Sequence, residues 1–142
     1  MSSTFSWEIE FEDVVRQYNL ARKRVEALER LYSEGRVSQP IYELLKSEYS
    51  QAFMQVENRR NDLLEKLKGK ETELRQEAAI LERALAIVEV SFSSGEIDES
   101  KYTTYRDAFQ KALELIVEEL ESVSEALGIL SGQTQASPPQ NL

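Results

Sequence analysis

Apolar and aromatic residues open the chain at Trp7, Phe11, Val14, Tyr18, Ala21, Val25, Leu28 and Tyr32, in alternating steps of four and three. A strand would repeat every second residue. This spacing instead keeps one face of a helix apolar for almost four heptads. Glu8, Glu10, Glu12 and Asp13 crowd the start of the run, and Arg22, Lys23, Arg24 and Arg30 follow, an order that complements a helix dipole. The pattern predicts a first helix over 7–34. Gly35 then suits the left-handed position that ends a helix, Ser38 is a good N-cap, and Pro40 falls in a first turn where its missing N–H is harmless.

A second seam runs through Leu45 or Lys46, Tyr49, Phe53, Val56, Arg60, Leu63 and Leu67, and resumes at Leu74, Ala78, Leu81, Leu85, Val88 and Phe92. Leu67 and Leu74 are seven residues apart, so the phase survives Lys68-Gly69-Lys70. That continuity predicts one helix over 39–94, on the order of 80 Å long. The alternative is a break at Gly69, which would give a four-helix bundle. After Gly95 and the N-cap Asp98, a third helix carries Tyr102, Tyr105, Phe109, Leu113, Ile116, Leu120, Val123, Leu127 and Leu130. Residues 1–6 are expected to be disordered. So are residues 131–142, SGQTQASPPQNL, which have no charged side chain and two adjacent prolines.

The two turns are one turn repeated after sixty residues. Tyr32, Gly35, Val37, Ser38 and Tyr42 align with Phe92, Gly95, Ile97, Asp98 and Tyr102. Glycine permits the positive φ, Val37 or Ile97 plugs the hairpin end, Ser38 or Asp98 caps the next helix, and Tyr42 or Tyr102 packs on the aromatic across the turn. The fold class is therefore all-α: antiparallel helical hairpins of coiled-coil type, three helices sharing a long central one in an elongated rod. The helical domain spans 7–130, with turns at 33–38 and 93–98. Two-helix packing covers little surface per residue. Leu20, Leu31, Leu64, Ile80, Ile87, Val117 and Ile129 lie off the main seams and are candidates for a second stripe covered by another copy.

Composition narrows the chemistry. The 142 residues include no Cys and no His, which removes disulfides, thiolate and imidazole metal sites, Cys nucleophiles and His-based triads. The net charge of -9 argues against DNA as a partner, since phosphates would repel the chain. No apolar run is long enough to span a membrane and no signal peptide is visible, so the expected location is cytoplasmic. Glu114, Glu118, Glu119, Glu121 and Glu125 form a solvated face. Arg59, Arg60, Lys66, Lys68 and Lys70 form a basic girdle with two readings: a contact for an anionic partner, or ion pairing along the helix and with the acidic end of the third helix. The proposed geometry favours pairing. No phosphate loop or nucleophile elbow appears, so no catalytic residue, cofactor or metal is assigned. Ser137, Pro138 and Pro139 are either a short ligand for a partner or a solubilising end.

The run from Ala27 to Tyr42, ALERLYSEGRVSQPIY, and its counterpart from Val90 to Tyr102, VSFSSGEIDESKY, resemble the coiled-coil region of the archaeal cell division protein A (CdvA) family over roughly residues 7–130. Only six residues precede Trp7. The resemblance is thus to the coiled coil without the family's N-terminal β-rich PRC-barrel domain. It implies a non-enzymatic cytoskeletal scaffold that polymerises at the division site, as a homodimer or filament. It further implies recruitment of ESCRT-III-like subunits through a C-terminal segment that binds a winged-helix domain, with any membrane contact indirect. The alternative is a compact helical adaptor that binds a client through a groove or its C-terminal tail.

Overall fold

The computed structural model describes residues 5–135, and among these there is no strand. Three helices make up the structure: α1 (Glu8–Ser33), α2 (Gln39–Ser93) and α3 (Glu99–Gln135). This is the expected all-α fold of hairpin-linked helices. α2 is a single helix of 55 residues that passes through Gly69 without a break, so the four-helix alternative is not realised. Leu67 and Leu74 on either side are both buried, which holds the helical phase across the glycine.

The chain divides into two compact units. The first contains α1, α2 as far as Lys66, and α3 from Leu127. Its core takes Trp7 from just before α1, Val14, Tyr18, Ala21, Val25 and Leu28 from α1, Phe53 and Leu63 from α2, and Leu130 from α3. The Tyr18 and Phe53 rings lie 5.3 Å apart, with Ala21 and Val56 packed in the same cluster. Each fully buried aliphatic side chain of this kind contributes about 1.5–3 kcal/mol.

The second unit contains α2 from Leu67 and α3 as far as Ala126. Leu67, Leu74, Val88, Val123 and Ala126 are buried. The seam positions Leu81, Leu85, Phe109, Leu113, Ile116 and Leu120 are only half-buried. Here α2 has one helix packed against it, and a pair of helices seals its shared seam incompletely.

Both turns are Schellman motifs, the helix ending that uses a left-handed residue to satisfy the last carbonyls. Gly35 has φ +74°, its N–H donates to the Tyr32 carbonyl and that of Arg36 to the Leu31 carbonyl. Gly95 has φ +82°, with Gly95 donating to Phe92 and Glu96 to Ser91. Asp98 caps α3 by accepting from the Lys101 N–H at 2.8 Å. The Ser38 carbonyl accepts from Tyr42 N–H at 2.8 Å as α2 begins. Val37 and Ile97 are half-buried.

The helix ends depart from expectation in two places. α3 continues past Leu130 to Gln135, because nothing in 131–135 forbids a helix and the first proline comes only at 138. Phe5 is placed as well: its N–H donates to Glu8 Oε1 at 2.9 Å and its ring stacks on Trp7 at 6.1 Å. Buried Trp7 gives that short segment an apolar partner.

Candidate interaction surfaces and the hairpin clasps

Each hairpin end is closed by the same set of side chains. In the first unit, Tyr32 stacks on Tyr42 with centroids 3.9 Å apart and planes 11° from parallel. The Tyr42 hydroxyl donates to Glu29, 2.7 Å from Oε1 and 2.9 Å from Oε2, and Lys46 Nζ lies 5.5 Å from the Tyr42 ring centroid. In the second unit, Phe92 stacks on Tyr102 at 4.2 Å, the Tyr102 hydroxyl donates to Glu89 at 2.7 Å, and the Arg106 guanidinium lies 5.1 Å from the ring. The turn pattern identified the aromatic pairs but missed Glu29 with Glu89 and Lys46 with Arg106. Both sets sit at the same sixty-residue offset, which was the signal available for them. The bond to Glu29 pushes the Tyr42 phenol up to about 12, because ionising it would set a phenolate against a carboxylate. The bond to Tyr102, then that to Asp107, hold the Arg106 guanidinium above its usual range.

Within the first unit, all three helices meet at Arg60. Its side chain is 1% exposed, yet sequence places it both on a seam and in a basic girdle. Nη1 donates to the Leu130 carbonyl at 3.2 Å, Nη2 to Glu57 and to Asn61 Oδ1, and the guanidinium lies 5.9 Å from the Tyr18 ring. A charge this deep is tolerable because it is hydrogen-bonded and paired. Burial is also the main reason that the Tyr18 phenol is raised.

Ion pairing, rather than a free basic surface, describes much of the rest of the girdle, though with different partners from those expected. Arg59 pairs with Asp13 at 3.1 Å and donates to Gln17, while Lys66 pairs with Glu10 at 3.2 Å. These acids belong to the start of α1, not to α3. The expected pairing with α3 appears at Lys70 and Glu119, 3.8 Å apart in the second unit.

Of the candidate self-association residues, Leu20, Ile80, Ile87, Val117 and Ile129 are exposed. Leu31 and Leu64 are half-buried, because they flank buried seam positions. Sequence reasoning missed exposed Val90, which shares a face with Ile80 and Ile87, and exposed Ile41 and Leu44 at the start of α2. Ile87 and Val90 line a shallow groove with Arg83, Ala86, Ser91 and Glu96. A second groove, along α3, includes Leu113, Val117 and Glu121. Ser137, Pro138 and Pro139 lie outside the described residues. Among the described residues, no group of three or more acidic side chains is arranged to hold a metal ion, and no helix is long and apolar enough to cross a membrane.

Paired heptad helices, two matching hairpin turns and apolar side chains left on the outer faces define a coiled-coil hairpin protein. The model of the CdvA-like coiled-coil domain matches residues 6–140, and the chain belongs to that family. It is 25% identical over 126 residues to Cell division protein A of Sulfolobus acidocaldarius. The aligned region covers 89% of this chain and 53% of that protein, so the chain spans about half the length of the curated relative it matches. No solved structure matches it.

Proposed function

We propose that this chain is a non-enzymatic scaffold of archaeal cell division, which associates with further copies of itself and positions ESCRT-III-like division proteins. Family membership and the name of the Sulfolobus relative support the division role. The observation that carries the self-association is the unfinished burial of the second unit. Its seam positions Leu81, Leu85, Phe109, Leu113, Ile116 and Leu120 are half-buried, while Ile80, Ile87, Val90 and Val117 are exposed. Covering such side chains gains roughly 25 cal/mol per Å² of apolar surface, and another helical face of the same kind provides the cover. The mechanism is geometric: helices fix the spacing of the apolar side chains, and the heptad faces select how copies pair. Recruitment falls to the C-terminal segment around Ser137, Pro138 and Pro139, and the place of action is the division site.

Sedimentation over a wide concentration range tests self-association. A mass that rises above that of one chain is expected, and a constant monomer would overturn it. Titration of the chain with the winged-helix domain of an ESCRT-III-like division protein tests recruitment. Saturable binding weakened by replacing Pro138 and Pro139 with Ala is expected. Absence of binding would overturn that part.

A further inference from the structure

The two hairpin ends share a backbone and a clasp but differ in what they show to solvent. At the first end the exposed apolar pair, Ile41 and Leu44, lies on the helix that leaves the turn. The positions sixty residues later are Lys101 and Thr104. At the second end the exposed pair, Ile87 and Val90, lies on the helix that enters the turn, where the first end has Ala27 and Arg30. Each pair is spaced i, i+3 and so shares one face of its helix.

Charge separates the ends in the same way. Residues 20–49 carry six cations and five anions, while the equivalent residues 80–109 carry three cations and six anions. The first end is thus net positive within a chain of charge -9. In the turns themselves Arg36 faces solvent at the first end, its side chain 70% exposed and only 3.9 Å from Glu34. Its counterpart is Glu96, exposed and followed by exposed Asp98 and Glu99. Glu96 also lines the groove that holds Ile87 and Val90.

We infer that the hairpin end built on Gly35 in one copy docks on the end built on Gly95 in another. The occupant of each end is a second copy of this chain, so the inference rests on the self-association proposed above. Like ends would set Arg36 against Arg36, or Glu96, Asp98 and Glu99 against themselves. Unlike ends set Arg30 and Arg36 against that acidic group, and Ile41 and Leu44 against the groove of Ile87 and Val90. Matched opposite charge sets the register, and apolar cover supplies affinity. A contact between unlike surfaces is heterologous: it leaves a free end on each copy and is not limited to two.

Two double variants of the full chain test this by sedimentation, with helicity checked by circular dichroism because all four side chains are exposed. Ile41→Asp with Leu44→Asp disables the first end, and Ile87→Asp with Val90→Asp disables the second. Each variant alone is expected to associate at least tenfold more weakly than the wild type. An equimolar mixture is expected to associate again and to stop at one copy of each, since only one good contact remains between them. Arg36→Glu is likewise expected to weaken association, and mixing with Glu96→Arg chains to restore it. If both double variants associate like the wild type, or their mixture stays dissociated while the wild type associates, the pairing of ends is overturned and self-association stands. A wild type that remains monomeric throughout overturns both.

Discussion

Arg60 and Leu130 are seventy residues apart in sequence and joined by a hydrogen bond, the Arg60 Nη1 donating to the Leu130 carbonyl at 3.2 Å. The bond ties α3 to α2, and the same guanidinium sits beside Tyr18 of α1. Because Arg60 is fully buried while Glu57 is about one-third exposed, removal of the arginine leaves an anion that water can still reach. The expected cost of Arg60→Ala is therefore about 2–3 kcal/mol, between a charged hydrogen bond and a broken buried pair. Arg60→Lys should recover only part of it, since an ammonium lacks the planar fork that reaches Glu57, Asn61 and Leu130 together. Urea unfolding of the three proteins measures both differences. A wild-type midpoint for Arg60→Ala would mean that α3 is not held there.

Gly69 gives the opposite sign. It is exposed in the interior of α2, and a Cβ added there would meet nothing within 4 Å. Its helical backbone needs no glycine, so Gly69→Ala should stabilise the protein by about 1 kcal/mol through helix propensity and a less flexible unfolded chain. A raised urea midpoint checks this. A lowered one would show that α2 bends or opens at that residue.

The helices were legible because their signals are local. A spacing of three and four residues sets each seam, and Gly35 and Gly95 mark the ends through a backbone angle that other residues resist. Arg60 was legible only in part. Its position in the seam pointed inward and its charge pointed outward, and the carbonyl that settles the conflict comes from the far end of the chain. The partners of Arg59 and Lys66 were missed for the same reason. Acids on α1 and on α3 are equivalent in composition, and tertiary packing chose Asp13 and Glu10. Glu29 and Glu89 were missed differently: a glutamate outside a seam looks like solvated surface until the tyrosine across the turn is seen to donate to it.

The two turn glycines should respond alike to substitution. Both have φ in the left-handed region, and in neither case would a Cβ meet a neighbour. The cost is then almost purely conformational. Gly35→Ala and Gly95→Ala are each expected to lose about 1–2 kcal/mol. Equal losses, measured in urea, would show that the repeated turn works identically in the two units. A Gly95→Ala protein as stable as the wild type would mean that the second turn can adopt another ending.

The first clasp makes a prediction about alkaline pH. Tyr42 is pushed up from 10.0 to about 12, first by its hydrogen bond to Glu29. A phenol raised on folding contributes stability that is complete below the unfolded value of 10.0 and is lost as pH climbs through about 12. Phenolate absorbance of the wild type minus that of Tyr42→Phe isolates its titration, which should centre near pH 12. Glu29→Gln should bring it back toward the ordinary value, because a neutral amide leaves no carboxylate for the phenolate to oppose. If the difference curve already centres near 10.0 in the wild type, the bond between Tyr42 and Glu29 does not hold in solution and the hairpin end is closed by ring stacking alone.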